Sequence, residues 1–266
     1  MDNKEREENV LLIKSHVKGY MRNGVWVGEY DNKVAKKPDF GHKKVLFNVH
    51  TEPKEPPEGH HPQRNDKGDK VAIQKLSKST PVDTWADKDA VATVTPHDSR
   101  AMPKELNGIE FHEWLDVPTS LHEWADVEGQ NEIDEPDFEP VKGMAIGSGV
   151  IVQEPDGRVW VVHPTNRFGG YNASFPKGTL EDGLPLQASA IKEAYEESGL
   201  KVEITGFFDD VVRTTSVARY YTAKRVGGDP STMGWESQAV SLVPPDKLGE
   251  IVNHKVDIGL VEKINK

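Results

Sequence analysis

The chain has 266 residues, with 33 basic and 44 acidic side chains and a formal charge of -11. That balance equips it poorly for general nucleic-acid binding, which rests on phosphate neutralisation. It has no cysteine, which excludes a disulfide framework and thiolate metal sites and is compatible with a cytoplasmic protein. The length suits one large domain or two small ones.

The first residues, "MDNKEREENVLLIKSHVKG", carry only a short apolar run, Val10 to Ile13, before charge returns. That is neither a signal peptide nor a membrane span, and no membrane partner is expected. "IKSHVKGYMRNGVWVGEY" alternates around Asn23-Gly24, which predicts a two-residue hairpin. "KKVLFNVH" reads as a strand. The stretch "TEPKEPPEGHHPQRNDKGDK" is Pro-rich and charged, with no hydrophobic period, and reads as disordered or as a long loop. Within it, His60 and His61 are either a metal pair or simply solvated. "DAVATVTP" reads as a short strand. The phrase HEWxDV occurs at His112–Val117 and again at His122–Val127. Two copies are too few for a solenoid, and Trp114 and Trp124 are expected to pack on another domain or in a partner groove.

Residues 101–142 hold two basic and twelve acidic side chains, whereas residues 1–50 hold ten basic and seven acidic. The acidic segment contains Pro136 and Pro140 and reads as an exposed linker. The texture then changes, so residues 1–140 are separated from a second domain, 141–266. In that domain "GMAIGSGVIVQ" and "RVWVVH" read as two strands joined at Pro155-Asp156-Gly157, hence as a hairpin. "PTNRFGGYNASFPKGTLEDG" reads as an irregular loop. A helix is expected from Leu186 to Ser198, with an apolar stripe at Ala188, Ile191 and Tyr195 and Gly199 as its left-handed stop. Strands are expected at 201–208, 210–215, 217–226 and 237–243, and Pro244-Pro245-Asp246 opens a terminal helical region.

On that helix Glu193, Glu196 and Glu197 fall on one face, opposite the apolar stripe. Like charges at this spacing cost a few tenths of a kcal/mol per pair in an isolated helix. Either the face is solvated, or a hard divalent cation with oxygen ligands reverses the sign.

The flanking residues extend the pattern. Gly178 precedes the helix, and Lys192-Glu193, Glu196-Glu197 and Gly199-Leu200 follow at fixed spacing. The span Gly178–Leu200 resembles the Nudix box, G-x5-E-x7-R-E-U-x-E-E-x-G-U, with U a bulky aliphatic. Gly178, Glu193, Glu196, Glu197, Gly199 and Leu200 match. Leu184 replaces the first glutamate, Lys192 the arginine and Ala194 an aliphatic. The resemblance covers about residues 143–266. It implies an α+β fold, a Nudix-like α/β/α sandwich with a mixed β-sheet, beside an N-terminal region of short strands and long loops. In the family the first glutamate and the arginine brace the loop–helix–loop. Here Leu184 is expected to supply a hydrophobic contact instead, with Lys192 released toward solvent.

The resemblance also implies a chemistry. Glu193, Glu196 and Glu197 would hold Mg2+ or Mn2+, with a carbonyl of Lys177 or Gly178 completing the shell. Glu197, Glu196 and Glu236 are the catalytic candidates, Glu236 as a carboxylate added from outside the box or as an ordinary loop residue. "FPKG" resembles members that cleave diadenosine polyphosphates and diphosphoinositol polyphosphates. Lys177 and Arg167 are candidate phosphate contacts. Tyr171 and Trp235, with Phe168, are candidate base-stacking or packing residues. Thr215 stands where the ADP-ribose subgroup has proline. Tyr220 and Tyr221 lie where dinucleotide polyphosphate members carry a tyrosine.

The function implied is a metal-dependent pyrophosphohydrolase acting on a nucleotide-type small molecule, at a diphosphate or polyphosphate linkage. Two alternatives stand beside it. One is a catalytically weak Nudix-fold binding or regulatory module whose partner surface lies in residues 1–142, so that removing 1–140 spares hydrolysis. The other is an RNA 5′-end pyrophosphohydrolase, against which the acidic balance counts. Family members are often dimeric, which makes a homodimer the expected assembly.

Overall fold

The computed structural model describes residues 18–22, 25–29, 59–73, 76–165 and 172–266. The expected strand at 43–50 and the turn residues Asn23-Gly24 lie outside them. So do the candidate site residues Arg167, Phe168 and Tyr171. The chain divides into a unit Met1–Glu52 and a larger unit Pro53–Lys266. In the first, β1 (Lys18–Arg22) and β2 (Val25–Glu29) pair antiparallel, Arg22 opposite Val25. That is the register of the expected two-residue hairpin.

The larger unit begins with a hairpin of β3 (His60–Arg64) and β4 (Lys70–Ala72), where a loop or disorder was expected. Its apolar positions are few but placed: Val71 and Ile73 are buried, and His61 is turned inward while His60 faces out. The two histidines therefore sit on opposite sides of one strand and cannot chelate together. The strand β5 (Ala92–Val94) follows, then the short pair β6 (Glu105–Leu106) and β7 (Ile109–Glu110), then the single-turn helix α1 (Leu121–Ala125). Ser120 and Glu123 close a capping box at its start, which satisfies two otherwise unpaired backbone donors.

The remaining elements are β8 (Ala145–Val152), β9 (Val159–Pro164), β10 (Lys177–Thr179), α2 (Leu186–Ser198), β11 (Leu200–Val212), β12 (Ser216–Gly228) and β13 (Ser237–Val243). Two C-terminal helices, α3 (Leu248–Ile251) and α4 (Lys255–Ile264), end the chain. One sheet has the order β10-β8-β12-β11 and is mixed, because β8 and β12 run parallel while the outer pairs are antiparallel. The other is the antiparallel set β5-β13-β9. The expected hairpin of β8 with β9 does not form. Beyond the single bridge Gln153–Val159 the two strands part into different sheets. "SFPKG", expected to be loop, supplies β10 and pairs Lys177 to Gly149 and Gly178 to Ser148.

Strand alternation sends side chains into two cores. Val150, Val152, Trp160, Val162 and Tyr221 join the helix residues Ala188, Ile191 and Ala194. Ile151, Val159, Val161 and Tyr220 join Leu248, Leu260 and Val261 from the C-terminal helices, and Val252 between them. Helices thus cover both faces, the layered α+β arrangement expected.

Packing does not respect the boundary expected near Val141. Trp85, Ala92, Val94, Trp114 and Trp124 all belong to the core that holds α2. Trp85 lies 5.8 Å from Trp160, centre to centre, and Trp114 lies 5.4 Å from Tyr195 edge-on. The buried Arg158 donates to the Trp85 carbonyl at 2.8 Å, and the buried Arg225 to that of Leu106 at 2.8 Å. Arg225 also pairs with the buried Glu154 at 2.6 Å. Each arginine shares its donors between a carboxylate of the second half, Asp156 or Glu154, and carbonyls of the first half, which is what makes their burial tolerable. The repeated HEWxDV is explained the same way. Both tryptophans wedge against the helix that carries the glutamates, the first of the two placements expected of them.

The acidic linker is likewise attached. Asn131 donates to the Ile204 carbonyl at 2.6 Å, and Glu135 meets Arg219 at 2.9 Å. Among the described residues no helix is long and apolar enough to cross a membrane.

Candidate active site

The helix α2 spans the residues expected, and Gly199 ends it at φ 69°, a conformation that costs glycine little. Its buried side is Ala188, Ala190, Ile191 and Ala194. Leu184 is buried in the same core, as expected of its replacing a glutamate. Lys192 is not released to solvent. Its Nζ lies 2.8 Å from Glu181 Oε1 and 2.7 Å from Glu196 Oε1, and its side chain is only 15% exposed. The acid that meets this base has moved three positions toward Gly178, onto the loop before Leu184.

The other face of α2 opens on a cavity of about 900 Å3. Glu193, Glu196, Glu197 and Glu236 line it, together with Lys177, Gly178, Trp235, Arg213 and His254. Lys177 and Gly178 reach it from β10. Gly178 leaves room for the Glu193 carboxylate, since a Cβ would stand 1.9 Å from Glu193 Oε1 and push that group aside. The backbone N–H of Lys177 donates to Glu197 Oε2 at 2.9 Å. The loop bearing Trp235 and Glu236 is pinned from two sides. Gly234 N–H donates to the Glu196 carbonyl at 2.8 Å, and Thr165 Oγ1 donates to the Trp235 carbonyl at 2.8 Å.

Burial raises the Glu193 carboxyl well above the ordinary range, and the neighbouring Glu197, Glu196 and Glu236 add to it. Burial also raises Glu197, against the pull of Lys177. Glu236 is raised by desolvation and then by Glu196 and Asp66. At Glu193, Glu197 and Glu236 the surroundings therefore favour a proton or a cation over bare ionisation. Among the described residues, no group of three Asp, Glu or His side chains is close enough to cage an ion directly. Mg2+ does not need such a cage: it keeps several waters and binds through one or two carboxylates plus substrate phosphates. An all-oxygen set with mutually raised acids fits that kind of ion.

Sequence reasoning overlooked five lining groups. Arg213 follows β11 directly beside the cavity and is held from behind. It bonds to Tyr220 Oη at 2.6 Å and to the buried Asp257 of α4. His254, at the start of α4, has its pKa lowered by desolvation. Glu181 lines the cavity beside Lys192, and Gln63 and Asp66 come from the β3–β4 hairpin. Nothing in the local sequence marks Arg213 or His254, because only the tertiary fold brings α4 to this mouth. Glu181 was legible as the glutamate nearest Leu184 in the sequence. Tyr220 and Tyr221 are buried in the two cores, so neither offers a face to a ligand. Thr215 lines the cavity at the β11–β12 turn.

The family model for the NUDIX domain matches residues 143–262. An MutT-like protein of Streptomyces ambofaciens is 31% identical over 129 residues, 47% of this chain and 79% of that protein. The chain belongs to the Nudix family. An RNA pyrophosphohydrolase of Caulobacter vibrioides is 32% identical over 109 residues, 40% of this chain. The chain spans about half of that relative's length, 56%. A NUDIX hydrolase structure from Nitrosomonas europaea aligns with TM-score 0.40 at 20% identity, over 46% of this chain and 70% of that one. Nudix enzymes generally use divalent metal ions. The match starts at 143, so the family signature covers the glutamate helix and both sheets' later strands. The tryptophan-rich segment that packs beneath them lies outside it.

Proposed function

We propose that this Nudix protein is a divalent-ion-dependent pyrophosphohydrolase that cleaves a diphosphate or longer phosphate linkage in a nucleotide derivative. The observation that carries the reading is the polarised cavity. Four carboxylates, Glu193, Glu196, Glu197 and Glu236, stand together with Lys177, Arg213 and His254 around one space. A bound Mg2+ or Mn2+ would screen phosphate charge and acidify a water. Glu193, Glu196 and Glu197 would hold it, with the Gly178 carbonyl nearby.

The chain's own groups do the rest. The Lys177 amide fixes Glu197 Oε2 and so orients that carboxylate in the cavity wall. Lys177 Nζ and the Arg213 guanidinium attract and orient the phosphate chain. Glu236 receives the proton of the attacking water. A phosphorus–oxygen bond forms from that water, and the bridging oxygen leaves with the electron pair of the broken bond. The Glu181–Lys192–Glu196 pairing argues for activity over a purely binding role, since the bracing function survives the replacement by Leu184.

The test is hydrolysis by the purified full chain with Mg2+ or Mn2+. The panel is ATP, a diadenosine polyphosphate, ADP-ribose and a 5′-triphosphorylated RNA oligonucleotide. The RNA arm is included because the Caulobacter relative is named for that substrate. Release of a mononucleotide or phosphate is expected, and Glu197→Gln should cut turnover by at least about a hundredfold. A Glu197→Gln protein as active as the parent would defeat the assignment.

A further inference from the structure

The β3–β4 hairpin lies some seventy residues upstream of the family-matched segment, yet its tip reaches the same cavity. Gln63 and Asp66 line it beside Trp235. The Trp235 indole N–H donates to Asp66 Oδ1 at 3.1 Å.

The tip that presents Asp66 is firmly built. Asn65 Oδ1 accepts from the backbone N–H groups of Lys67 at 3.1 Å and Asp69 at 2.8 Å. Arg64 donates to the Gly68 carbonyl at 2.7 Å, and Gly68 takes the left-handed turn at φ 79°. Beneath the tip, His61 is buried and its Nδ1 accepts from the Gln63 N–H at 3.0 Å. After the hairpin, the Ser77 N–H donates to Gln238 Oε1 at 2.8 Å and the His97 N–H to the Ser231 carbonyl at 2.8 Å. These bonds tie the upstream segment to both sides of the Trp235 loop.

We propose that Trp235 is the platform for the nucleobase of the substrate, and that Asp66 is the positioning residue that holds the indole in place. This rests on the pyrophosphohydrolase reading and adds to it where the nucleoside end sits and what orients it. An indole face binds any base by stacking and tolerates sequence. Its orientation is set by the single polar atom it carries, the N–H, which a carboxylate on a rigid turn can fix. The phosphate chain would then run from Trp235 past Glu236 toward Lys177 and Arg213. Asp66 repels phosphate, so it disfavours the reversed orientation.

The experiment measures AMP binding to the full chain by calorimetry without added metal, alongside KM and kcat for ATP with Mg2+. Trp235→Ala should weaken AMP by roughly tenfold, within the range for loss of one base stack. Asp66→Ala should weaken it several-fold and raise KM for ATP with kcat within about twofold, the pattern of lost uniform binding. Asp66→Asn keeps an acceptor for the indole N–H and should restore parental AMP affinity. In a Trp235→Phe background, which has no N–H, Asp66→Ala should have no further effect. Asp66 is exposed, so its variants should melt with the parent.

Parental AMP binding in Trp235→Ala overturns the platform. Asp66→Asn as weak as Asp66→Ala overturns the positioning role and makes the charge itself the determinant. AMP binding that behaves as expected in a parent that hydrolyses nothing on the panel would sink the catalytic reading and leave the subsite standing.

Discussion

Cutting the chain at residue 141 isolates the family-matched domain and tests whether it stands by itself. The truncation removes Trp85, Trp114 and Trp124, all buried in the core that contains α2. Deleting a buried tryptophan side chain costs about 3–5 kcal/mol, so the three together remove about 9–15 kcal/mol. That equals the whole stability of an ordinary domain, about 5–15 kcal/mol. Two further losses add to it. Arg158 loses the Trp85 and Asp87 carbonyls, and Arg225 loses those of Leu106 and Ile109. Each stranded buried donor costs roughly 1–3 kcal/mol. A 141–266 fragment is therefore expected to lack a cooperative thermal transition by circular dichroism and to hydrolyse nothing. A fragment from residue 53 should melt close to the full chain, because Pro53–Lys266 is one compact unit. Cooperative unfolding of 141–266 near the parental temperature would refute the reasoning, and would restore the separable N-terminal region expected from sequence texture.

The relocated brace gives a second expectation. Lys192→Met strips Glu181 and Glu196 of their shared cation and should lower turnover about 10–100-fold, the usual cost of losing a group that orients a metal-binding side chain. Lys192→Arg should stay near the parent. Parental turnover in Lys192→Met would show the pairing to be idle. The pH dependence follows from Glu193 and Glu197, whose pKa values are raised above the ordinary 4.5 by burial first. An acid with a raised folded pKa holds its proton more firmly in the folded chain than in the unfolded one. Metal-free stability should therefore fall as pH climbs from that ordinary value through the raised ones. Divalent ions compete with those protons, so the rise in melting temperature on adding Mn2+ should be larger at about pH 8 than at about pH 5.5. An equal or opposite trend in a thermal-shift series would contradict it.

The parts of this molecule readable from sequence are those set by local rules. The extent of the α2 helix was legible, because Ala188, Ile191 and Gly199 specify its buried face and its stop. The strand β13 was legible because seven consecutive residues are buried on both sides. The spacing of Glu193, Glu196 and Glu197 announced one face. What could not be read depends on distant partners. The strands β8 and β9 look like a hairpin, and only the competing pairings with β12 and β13 pull them apart. The β3–β4 hairpin hides in a polar stretch, since its order comes from side-chain bonds at Asn65 and His61 and not from hydrophobic alternation. Residues 101–140 read as linker because acids and prolines crowd them and most of their side chains are exposed, yet Trp114 and Trp124 anchor them in the core. Lys192 looked solvent-bound because Glu181 is out of register with the family pattern.

The central claim is that the carboxylates facing the cavity form a divalent-ion site. Calorimetric titration of Mn2+ into the full chain, repeated with Glu193→Gln and Glu197→Gln, tests it most directly. The account predicts saturable uptake by the parent and affinity lowered by about 10–100-fold in each variant, with folding intact in both. Uptake that is absent from the parent, even with AMP bound, or unchanged in both variants, would contradict it.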